Sequence, residues 1–225
     1  MTYYNIHTHR LGNDPEVVSI LDTEAKAFAG QPVVNSLNGL SSSSRTVWRS
    51  YGIHPWYIAD VPQQLAALGR QAILPDAAAI GEAGLDKTIQ ISLTLQENVF
   101  IRQVLLAEEL QKPLIIHCVK AWAELARIKK KMNPRMHWII HGFRGKAELA
   151  RQLLRQGCYL SFGTYFHPDS ARAAWPDRLF TETDEGEQDI RFVYEKVASA
   201  LGITFSECVL QLARNVRTVF PPLVR

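Results

Sequence analysis

From residue 60 onward, short apolar runs alternate with amphipathic segments along the chain. The apolar runs predict buried strands over 77–85, 113–118, 137–141, 158–163 and 178–184. Apolar residues spaced three and four positions apart predict helices over 62–70, 93–107, 121–131, 146–156, 190–201 and 209–220. Strands that alternate with helices indicate a parallel sheet connected by crossover helices.

The first 60 residues follow this pattern less regularly. We expect strands over 3–9, 33–37 and 47–54. The segment 17–21 stays open between two interpretations, because Asp14, Pro15 and Glu16 are typical of a helix start while the segment itself is rich in β-branched residues. About eight strands predict a distorted (β/α) TIM-type barrel with a compressed N-terminal part. A doubly wound open sheet is the alternative, although no glycine-rich phosphate loop follows the first strand.

Composition narrows the class of protein. The chain has 225 residues, 47% of them hydrophobic, and carries 25 basic and 22 acidic residues, so its net charge of +3 is too small to indicate a nucleic-acid partner.

Three widely spaced cysteines, Cys118, Cys158 and Cys208, suit reduced thiols rather than a disulfide framework. We find no apolar signal stretch and no run of membrane-spanning length, and we expect a cytoplasmic protein without a membrane partner. The run of serines at 41–44 predicts an exposed loop.

Polar residues that can bind metals fall where the predicted strands end. His7 and His9 are two positions apart on the first strand, so they point to the same face. The carboxyl ends of parallel barrel strands meet at one mouth, and a buried carboxylate there is costly unless a cation compensates it. The candidate ligands at strand ends are His7, His9, Glu82, His117, His141 and Asp184.

Six ligands exceed the needs of one tetrahedral ion, although three histidines and one carboxylate could form a single structural site. We therefore predict two divalent metal ions, with Glu82 bridging them. Zinc, magnesium and manganese all suit such donors, and the identity of the ion stays open. A metal lowers the pKa of water, so the site needs no serine or cysteine nucleophile. We interpret Cys118 as a packing residue because it alternates to the face opposite His117.

Together these residues resemble the TatD-like family of metal-dependent deoxyribonucleases, within the amidohydrolase superfamily. The motifs, in order, are HTH at 7–9, GIHPW at 52–56, GEAGLD at 81–86, IHC at 116–118, HGFRG at 141–145 and ETD at 182–184. The resemblance implies one hydrolase domain over 1–225, a distorted barrel, and hydrolysis of phosphodiester bonds in DNA. It also implies that His7, His9, Glu82 and Asp184 bind one ion, while Glu82, His117 and His141 bind the other. Asp184 would orient the attacking water and accept its proton, so Asp184 and Glu82 are the candidate catalytic residues.

Three further residues are candidates for binding substrate. The resemblance places His54 near the mouth, where it could bind phosphate or make only a local hydrogen bond. Lys120 stands where the family usually has an arginine, and Arg144 replaces a small hydroxyl residue. The short acidic segment 185–189 replaces a substrate-contacting loop and would repel a nucleic-acid backbone.

The differences from the family at Lys120, Arg144 and 185–189 affect residues expected to contact substrate, and they do not affect the candidate metal ligands. We expect DNA or a short oligonucleotide as substrate, and we infer no obligate protein partner. The alternative function is hydrolysis of a small amide, lactone or phosphate ester at the same metal site, because a fold does not fix its substrate. A metal-binding protein without activity is a weaker alternative, since all six ligand residues are present.

Overall fold

The strands pair in chain order into one parallel sheet that curls into a barrel. A computed structural model of the chain describes residues 1–24 and 47–223. Each strand pairs in parallel with the next along the chain. The strands are β1 (Tyr3–Thr8), β2 (Val17–Glu24), β3 (Trp48–Gly52), β4 (Ala77–Asp86), β5 (Leu114–Val119), β6 (Trp138–Ile140), β7 (Cys158–Phe162) and β8 (Leu179–Thr181).

Helices connect the strands from β3 onward and follow the predicted amphipathic segments. They are α1 (Val61–Gln71), α2 (Leu93–Leu110), α3 (Trp122–Met132), α4 (Ala147–Arg155), α5 (Pro168–Ala174), α6 (Ile190–Leu201) and α7 (Phe205–Val219), with 3-10 turns at Pro55–Tyr57 and Pro221–Leu223. Thr204 and Glu207 form a capping box at the start of α7. The sequence did not indicate α5, because two turns are too short to display a helical period. No helix in 1–24 or 47–223 is long and apolar enough to cross a membrane.

The segment left open in the sequence is a strand. The backbone turns at Asp14, whose Oδ1 accepts a hydrogen bond from the Glu16 N–H (2.8 Å), and β2 then pairs with β1 and β3. Ile20 is fully buried, so contacts on both sides override the local helix-start signal. Residues 9–16 hold no helix, which accounts for the compressed N-terminal part. The predicted distorted barrel is confirmed, whereas the predicted strand over 33–37 and the serine loop lie outside the described residues.

Two clusters of buried apolar side chains hold the barrel together. The larger packs the sheet against the surrounding helices. The smaller takes side chains from almost every strand, among them Ile6, Ile115 and Phe180, and continues into Val216 and Phe220 at the end of α7. The barrel interior is therefore packed and closed at one end. An active site is expected at the other end, where the carboxyl ends of the strands meet.

The seam between β1 and β8 is closed by few contacts. At the mouth, Thr8 and Asp184 form an isolated bridge, and the Asp184 N–H donates to the His7 carbonyl (3.1 Å). Farther along β1, the Tyr194 hydroxyl accepts from the Tyr4 N–H (2.9 Å) and donates to the Tyr4 carbonyl (3.1 Å). A side chain of α6 therefore takes the place of ladder hydrogen bonds at this seam.

Replacing Tyr194 by phenylalanine should destabilise the protein. The substitution leaves the buried N–H of Tyr4 without its acceptor, which costs roughly 1–3 kcal/mol of unfolding free energy. Urea denaturation followed by circular dichroism measures the change. The exposed Tyr57→Phe serves as control and should leave the free energy of unfolding within about 0.5 kcal/mol of wild type. An unchanged midpoint for Tyr194→Phe would show that this hydroxyl does not stabilise the seam.

Candidate metal centre

The Glu82 carboxylate lies among five imidazole rings and is only 5% exposed. Its Oε1 lies 3.0 Å from His7 Nε2 and 3.2 Å from His9 Nε2. Its Oε2 lies 2.9 Å from His141 Nε2 and 3.5 Å from His117 Nδ1. The two carboxylate oxygens therefore face two different sets of histidines, with His54 as a third ring on the Oε2 side.

Asp184 joins the pair on the Oε1 side. Its Oδ1 lies 3.5 Å from His7 Nε2 and 3.4 Å from His9 Nε2. The residue adopts a left-handed backbone with φ +54°, which aspartate tolerates better than most residues. Its neighbour Thr183 is held by Asn5, which donates to the threonine hydroxyl (2.8 Å) and accepts from its backbone N–H (3.0 Å). The seam of the barrel thus fixes the position of this carboxylate.

All six predicted ligands are therefore close together, although they lie far apart in the sequence. Three overlapping groups have ligand atoms within 4.8 Å of one another. The groups are His7, Glu82, His141 and Asp184; His54, Glu82 and His117; and His9, Asp22 and Glu82. Every group contains Glu82, so this one carboxylate is shared by all the candidate ion positions.

Glycines allow the backbone of β4 to lie close to its neighbours. A Cβ atom on Gly52 would lie 2.4 Å from the carbonyl oxygen of Glu82. A Cβ atom on Gly84, whose φ is +156°, would lie 1.9 Å from the carbonyl oxygen of His117. The glycines in the GIHPW and GEAGLD motifs therefore permit the close strand contacts that bring Glu82 and His117 together.

The imidazoles and carboxylates of the site shift one another's pKa. Burial and the neighbouring His141 lower the pKa of His7, but Glu82 and Asp184 outweigh them and raise it to about 9. Hydrogen bonds to Asp184 and Glu82 raise the pKa of His9 to about 10. Burial raises the pKa of Asp184, yet the neighbouring His7 and His9 rings hold it below its usual range. A cation that binds here replaces the protons that otherwise balance these carboxylates.

The buried atoms of the site fit a divalent metal. Both ring nitrogens of His7 are buried and lack a hydrogen-bond partner within the described part of the chain. Its Nε2 lies close to Glu82 Oε1, but the direction of approach is not that of a hydrogen bond. Buried polar atoms are normally satisfied, and a cation between imidazole and carboxylate satisfies both. Imidazole nitrogens with carboxylate oxygens suit zinc, manganese and related ions.

His54 lies beside the Glu82 Oε2 atom. Its Nδ1 accepts a hydrogen bond from the Trp56 N–H (3.2 Å), so the neutral ring carries its proton on Nε2. That Nε2 lies 3.3 Å from Glu82 Oε2. The local hydrogen bond weighed in the sequence analysis is therefore present, and it leaves the other nitrogen as a donor aimed into the site.

The other two predicted substrate-binding residues, Lys120 and Arg144, line a cleft of about 370 Å³ that opens beside the candidate ligands. Lys120 has a φ of +55°, an uncommon conformation for lysine. The remaining lining residues include His117, His141, Asp184, Cys118 and Trp122. Cys118 also packs in the core, consistent with its interpretation as a packing residue.

Asp22 is a site residue that the sequence analysis missed. Its Oδ1 accepts hydrogen bonds from the Glu82 N–H (2.8 Å) and from the Ser50 hydroxyl (3.2 Å). Its Oδ2 lies 3.9 Å from His9 Nδ1, the ring nitrogen that does not face Glu82. Asp22 belongs to β2, the segment whose structure the sequence left open, so no strand-end signal marked it.

Two more carboxylates lie next to the ring nitrogens of His117 and His141 that face away from Glu82. Asp86 Oδ2 lies 3.3 Å from His117 Nε2. Glu182 Oε1 accepts from the Gly142 N–H (2.6 Å) and lies 3.5 Å from His141 Nδ1. Such partners fix the tautomer and orientation of a ligand histidine. Asp86 belongs to the GEAGLD motif and Glu182 to the ETD motif, so the sequence motifs already contained these two supporting carboxylates.

The acidic segment 185–189 is partly neutralised. Glu187 forms an ion pair with Arg10. Asp189 caps α6 by accepting from the Arg191 N–H (2.8 Å) and also pairs with the Arg191 side chain (2.9 Å). These contacts reduce the repulsion that the sequence predicted toward a nucleic-acid backbone.

The chain is similar to known proteins in sequence and in fold. Residues 16–221 match the family model described as TatD related DNase. The chain is 30% identical over 197 residues to the uncharacterized metal-dependent hydrolase YabD of Bacillus subtilis, covering 77% of each chain. It is 28% identical over 201 residues, again 77% of each, to the 3'-5' ssDNA/RNA exonuclease TatD of Pantoea vagans. The crystal structure of YjjV, a TatD homologue from Escherichia coli K12, has the same fold, with a TM-score of 0.77, 20% identity and coverage of 97% of this chain and 98% of that one.

Proposed function

The chain belongs to the TatD-related DNase family, and on this premise we propose that it is a divalent-metal-dependent phosphodiesterase that acts on single-stranded nucleic acid. The family resemblance inferred from the motifs is thereby confirmed. The observation that carries the proposal is the position of Glu82, whose two oxygens face two separate sets of histidines. The name of the Pantoea vagans relative supports single-stranded DNA or RNA as the substrate class.

We propose two ions, both bound by Glu82. His7, His9 and Asp184 would complete the site on the Oε1 side. His117 and His141 would complete the site on the Oε2 side, where three protein donors would leave a fourth position open for a substrate oxygen or water. Bound divalent ions supply Lewis acidity and lower the pKa of a water at such a site.

The side chains of this protein supply the positioning and the proton transfer. Asp184 is two-thirds buried beside His7 and His9, so its carboxylate is positioned to orient a water and accept its proton. His54 Nε2 can donate a hydrogen bond to a phosphate oxygen. Lys120 and Arg144 line the cleft and can balance the charge of neighbouring phosphates.

Metal content and cleavage test the proposal together. Elemental analysis of the purified protein should find about two divalent ions per chain, and a labelled single-stranded oligonucleotide should be cleaved. Chelation should abolish cleavage, and added manganese or zinc should restore it. Cleavage that persists after complete metal removal would contradict the proposal. Metal-dependent hydrolysis of small esters, with intact oligonucleotides, would indicate the small-substrate hydrolase instead.

Replacing Asp22 by asparagine should weaken metal binding by about ten- to a hundredfold. Asparagine keeps an oxygen that can accept from the Glu82 N–H and loses the negative charge beside His9 Nδ1. Isothermal titration of the metal-free protein with zinc or manganese measures the change. The exposed Asp169→Asn removes the same charge far from the site and is the control. Equal affinities for wild type and Asp22→Asn would show that the charge of Asp22 does not support His9.

A further inference from the structure

Exposed aromatic rings and cations lie together at the mouth of the barrel. Tyr165 follows β7 and is 68% exposed, and Phe192 on α6 is 44% exposed. The Arg144 guanidinium carbon, in the loop after β6, lies 5.8 Å from the centre of the Tyr165 ring. Lys196 Nζ lies 5.7 Å from the centres of both the Tyr165 and the Phe192 rings. These four residues, Arg144, Tyr165, Phe192 and Lys196, form what we name the mouth platform.

Protein contacts hold the mouth platform in place. Lys196 Nζ donates a hydrogen bond to the Thr164 carbonyl (2.8 Å), which ties α6 to the loop that carries Tyr165. Phe166, on the other side of Tyr165 in the chain, packs on the buried Phe162 with ring centres 5.5 Å apart. The Tyr165 ring is therefore displayed toward solvent by a loop that is anchored on both sides.

The mouth platform is continuous with the candidate metal centre. Arg144 lines the same cleft as His117, His141 and Asp184. It also lies beside the Tyr165 ring. A chain that leaves the cleft past Arg144 therefore meets Tyr165 next.

The charges of the mouth platform suit a polyanion. Within residues 1–24 and 47–223, neither Arg144 nor Lys196 forms an ion pair with a carboxylate. Exposed aromatic rings beside unpaired cations match the two parts of a single strand, since bases stack on rings and phosphates pair with cations. A small ester has neither a second base nor a second phosphate to use these groups.

We propose that the mouth platform is a binding site for a base and an adjacent phosphate of single-stranded nucleic acid, with Tyr165 as the stacking ring and Arg144 as the phosphate contact. This proposal rests on the proposed function and extends it, because it says where the strand runs once it leaves the metal centre. It also predicts that the enzyme prefers oligonucleotides to small phosphodiesters. The preference comes from groups that the metal ligands do not include.

Two readouts test the mouth platform. The first is binding of a fluorescein-labelled oligothymidylate, measured by fluorescence anisotropy. A chelator is present so that the oligonucleotide is not cleaved during the measurement. Tyr165→Ala should raise the Kd about tenfold, which is the effect of losing one stack between a base and an aromatic ring. Tyr165→Phe keeps the ring and should bind with the wild-type Kd. Arg144→Ala should also weaken binding and should lower the slope of log Kd against log salt by about 0.7.

The second readout is the ratio of kcat/KM for the oligonucleotide to kcat/KM for bis(p-nitrophenyl) phosphate. This ratio should fall about tenfold in Tyr165→Ala. Arg155→Ala removes an equal charge at the end of α4, on the opposite side of the barrel, and should keep the wild-type Kd and ratio. The proposal is wrong if Tyr165→Ala binds as tightly as wild type. It is also wrong if Tyr165→Phe loses as much binding as Tyr165→Ala, or if Arg155→Ala loses as much binding as Arg144→Ala. Failure of the proposed function is distinct, because the metal-loaded wild type would then leave the oligonucleotide intact, whether or not it hydrolyses bis(p-nitrophenyl) phosphate.

Discussion

Replacing Glu82 by glutamine should lower kcat for phosphodiester hydrolysis by about a thousandfold or more, the scale on which essential catalytic groups act. Glutamine has nearly the same shape but carries no charge, and only one of its two terminal atoms can bind a cation. Since Glu82 faces His7 and His9 with one oxygen and His117 and His141 with the other, one candidate ion position loses its Glu82 ligand and the other keeps only a neutral oxygen. Elemental analysis of the variant should find less than one ion per chain.

The control for this variant is Glu109→Gln, at an exposed position of α2. It makes the same chemical change outside the site and should keep the metal content and kcat of wild type. Circular dichroism checks that both variants are folded. If folded Glu82→Gln keeps two ions and wild-type turnover, the bridging role is wrong.

Replacing Asp184 by asparagine should lower kcat by roughly a hundred- to ten-thousandfold, the range for a lost general base. The amide keeps the size of the side chain and an oxygen near His7 and His9, but it cannot accept the proton of a water. The metal ligands on the Oε2 side of Glu82 are untouched, so this variant should retain more metal than Glu82→Gln. Single-turnover cleavage at saturating metal separates slower chemistry from weaker metal binding.

Asp177→Asn, at an exposed position before β8, is the matched control for Asp184→Asn and should cleave at the wild-type rate. A rate for Asp184→Asn within tenfold of wild type at saturating metal would contradict the general-base role. Residual metal binding with lost turnover, in contrast, would separate the role of Asp184 from that of Glu82.

Sequence reasoning found the barrel and the candidate ligands because both follow from local patterns. The apolar runs that contain Glu82 and His117 correspond to β4 and β5, but the two residues lie inside these strands rather than at their ends, because β4 continues to Asp86 and β5 to Val119. In a parallel sheet, strand ends share one edge, so their polar residues could be grouped without knowing any distance. Whether the six residues bind metal stays a prediction, which the variants above test.

The sequence failed where tertiary contacts outweigh local preference. The helix-start signal at 14–16 precedes strand β2, because pairing with both neighbouring strands stabilises this segment more than a cap stabilises a helix. Asp22 was missed for the same reason, since its place in the site depends on that strand. The two-turn α5 was missed because it is shorter than the period needed to detect it.

The alternation of strands and helices, the family and the set of candidate ligands could be inferred without coordinates, because each depends on the order and type of residues along the chain. The tertiary structure was needed to show which oxygen of Glu82 faces which histidine, and that Asp22, Asp86 and Glu182 support the site. It alone brought Arg144, Tyr165 and Lys196 together. These contacts join residues far apart in the chain, and barrel closure rather than any local propensity sets the distances between them.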